Sequence, residues 1–196
     1  MPGNGKPVTL LASSFGVYLA LSLIERAPEK IGQVSIVGGI LDMRTAFVRL
    51  GRRVAEQNQD QDLAAVTLHA DESVDNESLW CLVERLFSVT NLLDFYWSPT
   101  AVVQRDEMKA LAAQGALLHV PTYQAVLRDV LARDALPASS GWHGAASVWI
   151  GRYDPYALPC DTETWRIAFP GASVQFVDAG HFPHLELPPS VWFPFI

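Results

Sequence analysis

At 196 residues the chain is long enough for one substantial hydrophobic core, with room for a subdomain inserted into it. An apolar fraction of 49% against 18% charged residues excludes a disordered chain, and 21 acidic against 14 basic side chains leave a net charge of -7. That balance argues against nucleic acid and against a polybasic membrane contact, and favours small neutral or apolar partners.

The first six residues, Met-Pro-Gly-Asn-Gly-Lys, lack the apolar core of a signal peptide, and no apolar run approaches a membrane span, so the expected location is cytoplasmic. Gly3-Asn4-Gly5-Lys6 has neither the spacing nor the following Ser or Thr of a phosphate loop and reads as a turn. Val8 to Ala12 is an apolar, β-type run. After it, Phe15 to Arg26 sets Val17, Leu19, Ala20, Leu23 and Ile24 at helical spacing, and Ala27-Pro28 ends the helix. Gln33 to Val37 is a second strand.

From Leu41 to Pro137 helix signals dominate: Ala46 to Gln57, Glu77 to Leu93, Gln104 to Ala113 and Thr122 to Arg133, with Ala65 to Leu68 open as a short strand. Cys81 and Cys160 stand far apart without C-x-x-C spacing, so two free thiols are expected, with no disulfide framework and no zinc site. Two more strands follow, Ala145 to Ile150 and Ser173 to Val177, separated by a short helix at Asp161 to Ala168. Both ends of the chain therefore read β-α-β. Strands without clean alternation suit a parallel sheet covered on both faces. The middle stretch far exceeds the dozen or so residues a parallel crossover needs. The expected fold is thus α/β: a parallel sheet of about four strands in residues 1–40 and 138–196, with residues 41–137 inserted as a helical cap.

Three chemistry-bearing groups stand where such strands end. Ala12-Ser13-Ser14-Phe15-Gly16 lies between strand and helix, at the place of a nucleophile elbow, and its spacing selects Ser14. The same stretch also fits a Ser-Ser pair bonding the backbone at a helix N-terminus. "VWIGRYDPY" carries Asp154 just past the third strand, and "VQFVDAGHFPHLE" carries His181 just past the fourth. The C-terminal ends of parallel strands share one edge, where sites are built.

With "DAGHFPHLELP" the chain resembles the α/β-hydrolase superfamily, capped members included, over the elbow, its helix, the later strands and both remaining loops. The resemblance implies Ser14 as nucleophile, His181 as general base, Asp154 as orienting acid and the Phe15 N–H as an oxyanion donor, with no metal or cofactor. Asp178, at a strand end, is the weaker candidate for the acid, and His184 and Glu186 match the loop pattern as structural residues. The implied reaction is hydrolysis of a carboxylic ester or thioester with an apolar group. Tyr96 and Trp97, in an insertion rich in aromatics, are candidate substrate contacts. His119 fits either a ligand contact or a hydrogen-bonded core position.

In the resembled family the elbow strand is about the fifth of eight, whereas this chain opens on it. Val8 to Ala12 is therefore expected at a sheet edge, covered by a second copy, a second chain or a rearranged local helix. The second oxyanion donor of that family, on a loop after an earlier strand, has no counterpart here. Losing one such donor costs about 10²- to 10³-fold in rate. The alternative expectation is accordingly a truncated, catalytically weak or inactive binding or partner subunit.

Overall fold

Apolar, β-branched runs without clean alternation suit a parallel sheet, and four such runs pair here in chain order. The structure, a computed structural model, describes residues 7–73, 75–115, 120–131 and 140–191. Among these, β1 (Val8–Ser13), β2 (Ile31–Val37), β3 (Ala145–Gly151) and β4 (Ser173–Val177) form one sheet in the order β1-β2-β3-β4, every pairing parallel. Register aligns Leu10 with Val34 and Ala146, and Ala12 with Ile36, Val148 and Val174. Because side chains alternate along a strand, these rows share one face. That face packs against Val17, Ala20, Leu21 and Ile24 of α1 (Gly16–Arg26) and against Trp165 and Ala168 of α7 (Asp161–Ala168), with Phe169 just beyond. The opposite face carries Val37 and Trp149, packed with Val177, Leu187 and Val191, and a Ser147 to Ser35 hydroxyl contact of 3.2 Å.

The buried stripe of α1 differs from the sequence expectation. Leu19 and Leu23 are 64% and 48% exposed, while Leu21 takes a place in the core. Positions 17, 20, 21 and 24 follow the i, i+3, i+4, i+7 pattern of one helix face, and 19 and 23 form a neighbouring row turned away from it. β1 lies at the sheet edge, with Val8 53% and Leu11 45% exposed.

The described residues of Met1–Leu41, Leu136–Arg152 and Ala157–Ile196 make one compact unit, and those of Asp42–Ala135 and Tyr153–Tyr156 make another. The second unit is helical: α2 (Met43–Asn58), α3 (Gln61–Glu72), α4 (Asn76–Phe87), α5 (Val102–Ala113) and α6 (Val120–Leu131). The first three begin on aspartates whose carboxylates accept a free N–H of the opening turn: Asp42 from Thr45, Asp60 from Leu63 and Asp75 from Ser78. Each such cap is worth about 1 kcal/mol. Arg44 of α2 donates to the carbonyls of Ala70 and Ser73, both at 2.8 Å, and ties the end of α3 to α2.

Two expectations change here. Ala65 to Leu68 is helical, because the Asp60 cap starts α3 and Leu63, Thr67 and Ala70 are buried at helical spacing. The expected helix from Glu77 to Leu93 stops at Phe87, and a separate 3-10 turn spans Leu92–Tyr96. Ser88-Val89-Thr90-Asn91 between them are poor helix formers, and the Val89 N–H already bends back to the Leu86 carbonyl at 2.9 Å. Among the described residues no helix is long and apolar enough to cross a membrane.

Phe169 is fully buried and stacks on Trp165 at a centroid distance of 6.3 Å. Phe169→Ala leaves a cavity beneath the sheet and is expected to destabilise the protein by about 3–5 kcal/mol. Urea unfolding followed by tryptophan fluorescence measures it, and a loss below about 1 kcal/mol would contradict this packing.

Candidate active site

The turn from β1 into α1 is strained. Ser14 has φ 55°, a left-handed conformation in which a residue with a side chain costs about 1–3 kcal/mol. Its neighbours hold it there: the Ser14 N–H donates to the Val37 carbonyl at 3.3 Å, and the Ser14 carbonyl accepts from the Ile40 N–H at 3.3 Å and the Val17 N–H at 3.4 Å. Two of these three bonds come from Val37, the last residue of β2, and from Ile40 just after it. The helix begins without a side-chain cap, so the reading of Ser13-Ser14 as an N-terminal hydrogen-bonding pair does not hold for this hydroxyl. A Cβ built at Gly16 meets nothing within 4 Å.

The Ser14 hydroxyl instead meets His181. Oγ and Nε2 are 3.0 Å apart across 167 positions of sequence. The hydroxyl donates to Nε2 when the ring carries its proton on Nδ1. His181 is 2% exposed, on the loop that leaves β4. The Ala179 N–H turns back to the Val177 carbonyl at 2.9 Å, and the Gly180 N–H donates to Glu186 Oε1 at 2.9 Å. Glu186, on the short helix α8 (Pro183–Glu186), thus anchors the peptide just before the imidazole. Phe182 lies edge-on to the His181 ring at 4.9 Å.

Two glycines at strand ends make room for this loop. A Cβ at Gly38, whose φ is 53°, would sit 2.1 Å from the His181 carbonyl oxygen and 3.3 Å from its Nδ1. A Cβ at Gly151 would sit 1.9 Å from the Gly180 carbonyl oxygen and 2.4 Å from that of Ala179. Any side chain at either position pushes the histidine loop off the sheet. Sequence reasoning passed over both, although a glycine just beyond a strand is a recognised sign of close backbone approach.

The remaining expected site residues divide between the two units. Phe15 is half-buried at the start of α1. Asp154 is 3% exposed, belongs to the helical unit, and accepts the Tyr156 N–H on Oδ1 at 2.9 Å. Asp178 is exposed. Tyr96 and Trp97 are buried in the helical unit, and the Tyr96 hydroxyl shares a 2.8 Å hydrogen bond with that of Tyr156. Burial pushes both phenols well above their ordinary value, so they stay protonated. His119 lies outside the described residues. Among the described residues no three His, Cys, Asp or Glu side chains gather as a metal set.

Comparison with known proteins bears on the fold. No protein-family model and no curated protein matches the sequence. Solved structures do match. A proline iminopeptidase-related protein from Thermus thermophilus superposes at TM-score 0.63 with 21% identity, over 96% of this chain and 62% of that one. A thermophilic esterase from Thermogutta terrifontis gives TM-score 0.59 and 17% identity over 94% and 61%. An α/β-hydrolase enzyme from a Medee basin deep-sea metagenome library gives 0.56 and 10% over 97% and 64%. The chain has the α/β-hydrolase fold, and it spans 61–64% of the length of these three proteins.

His184 provides a check on this neighbourhood. Its Nδ1 is buried without a hydrogen-bond partner among the described residues, and burial first, then the nearby His181, hold its pKa below the usual 6.5. Between its lowered native value and 6.5 the unfolded chain binds the extra proton, so stability rises with pH through that window and is lost as pH falls through it. Imidazole NMR should show His184 titrating below 6.5, and His184→Gln should flatten the acid-side loss of urea midpoint. A titration midpoint at or above 6.5 would contradict the buried environment.

Proposed function

We propose that this chain is a serine hydrolase acting on a carboxylic ester or thioester with an apolar group. The observation that carries the reading is the 3.0 Å contact between Ser14 Oγ and His181 Nε2, with the serine held in a strained turn at the end of β1. A serine hydroxyl is a weak nucleophile on its own, and an imidazole already at hydrogen-bond distance supplies the base. His181 Nε2 takes the Ser14 proton as Oγ attacks the acyl carbon. The imidazolium then returns that proton to the leaving alkoxide or thiolate, giving the acyl-enzyme. Water, deprotonated by the same nitrogen, attacks the ester carbon, and the proton returns to Ser14 as the acid is released.

In this reading the Phe15 N–H, next after the nucleophile, stabilises the oxyanion of both tetrahedral intermediates. Asp154 is the orienting carboxylate. Its burial and its position just past β3 support that role, and the exposure of Asp178 argues against the rival. The helical unit acts as a cap, with Tyr96 and Trp97 as candidate substrate contacts. The mechanism uses no metal or cofactor. The Thermogutta terrifontis protein is described as an esterase, which agrees with the ester class proposed here. Two free, exposed thiols, Cys81 and Cys160, support a cytoplasmic setting. The reading also keeps a second copy or second chain over the open edge of β1, where Val8 and Leu11 are exposed.

A fluorophosphonate probe tests the assignment. The wild-type chain should be labelled on Ser14. Ser14→Ala should abolish labelling, and His181→Ala should slow it by about 10³-fold or more. Undiminished labelling of the His181→Ala protein would remove His181 as the base, and an unlabelled wild type would favour the alternative of an inactive binding or partner subunit. p-Nitrophenyl esters of graded acyl length then rank the apolar group.

A further inference from the structure

Asp154 is carried on a four-residue segment, Tyr153–Tyr156, that groups with the helices and not with the strand preceding it in the chain. One helix grips this segment at both ends. Arg53 Nη1 donates to the Tyr153 carbonyl at 3.2 Å, and Arg49 Nη1 donates to the Tyr156 carbonyl at 2.9 Å. The two arginines stand four residues apart on α2, so they project from one face and reach adjacent points of the same turn. Between the gripped carbonyls, Asp154 Oδ1 accepts the Tyr156 N–H at 2.9 Å. The carbonyl that Arg49 fixes thus belongs to the residue that orients the Asp154 carboxyl.

Tyr156 is held at its far end too. Its hydroxyl meets that of Tyr96 at 2.8 Å, and its ring meets Phe47 of α2 edge-on at 6.0 Å. Arg53 is exposed, whereas Arg49 is half-buried. A hydrogen bond from a cation is stronger than a neutral one, and more so away from bulk water. Of the two grips, that of Arg49 is therefore the firmer.

We infer that Arg49 is a positioning residue for the hydrolytic reaction: its guanidinium sets the Tyr156 end of the Asp154 turn and acts on catalysis only through the Asp154 carboxyl. The inference rests on Asp154 being the orienting acid of the proposed mechanism. It gives α2 a part in the reaction that is separate from any contact with substrate, because the direction of the acid then depends on a helix of the inserted unit.

A double-mutant cycle on the rate of fluorophosphonate labelling tests it, using the full chain. Asp154→Asn is expected to slow labelling by roughly 10³- to 10⁴-fold, and Arg49→Gln by about 10- to 100-fold. The protein carrying both changes should be no more than about twofold slower than Asp154→Asn alone, because the arginine has nothing left to act through. Arg49→Gln should also move the acid limb of the pH–rate profile to lower pH, since a misdirected carboxylate stabilises the imidazolium less. Should Arg49→Gln fail to fold by circular dichroism, Tyr96→Phe, which removes the hydroxyl bridge to Tyr156, replaces it in the same cycle with an expected loss of a few-fold. A rate within about twofold of wild type for Arg49→Gln, or losses that multiply in the double variant, would overturn the role of Arg49 while leaving the triad intact. Wild-type labelling by Asp154→Asn would instead remove the acid assignment itself, and the role of Arg49 with it, leaving Ser14 and His181 to be judged by their own variants.

Discussion

A hydroxyl near the start of the chain and an imidazole near its end meet at 3.0 Å only because the peptide at Ser14 is held in a conformation it would otherwise leave. The strain at φ 55° is of order 1–3 kcal/mol, comparable to one or two net hydrogen bonds. The end of β2 and the residues just after it supply two such bonds, one between Val37 and the N–H and one between Ile40 and the carbonyl of Ser14. Parallel pairing of β1 with β2 thus does more than close the sheet. It places Val37 and Ile40 where they clamp the turn and present the serine hydroxyl beyond the strand.

Opposite that hydroxyl, the histidine loop owes its position to missing atoms. Gly38 and Gly151 end neighbouring strands, and the carbonyls of Ala179, Gly180 and His181 lie where their side chains would be. Close approach of backbone to backbone gives the imidazole a rigid base that side-chain packing would not provide as tightly. Glu186 completes it by taking the Gly180 N–H, so that the segment preceding His181 is tied from both sides.

Asp154 is supported differently. Asp154 follows β3 by three residues, yet its segment is bonded to α2 through Arg49 and Arg53 and to the 3-10 turn through Tyr96. Ser14 and His181 are consequently features of the strand ends, while Asp154 takes its setting from the helical unit. The setting of Asp154 therefore depends on Arg49, Phe47, Tyr96 and Tyr156 of the same unit.

Much of this was legible in the residues themselves. The apolar runs around Val34, Val148 and Val174 have one period and one meaning, so β2, β3, β4 and α7 lie where the pattern predicted, with β4 and α7 matching to the residue. Ser14 and His181 were recognisable because each sits in a local pattern that survives without knowledge of the fold. Local patterns were silent or misleading wherever a residue's role depends on what crosses it. Leu19 and Leu23 looked like core but face outward, since only the sheet decides which stripe of α1 is covered. Gly38 and Gly151 carry no local sign of their role, yet a Cβ at either would strike the histidine loop. Arg49 carries no sign of its partner, 107 positions away. The sequence by itself determined the strands and singled out Ser14 and His181, because those depend on periodicity and on short motifs. Tertiary structure alone decided the distances, the strand-end clearances and the grip on Asp154, because these come from contacts between segments that no local pattern records.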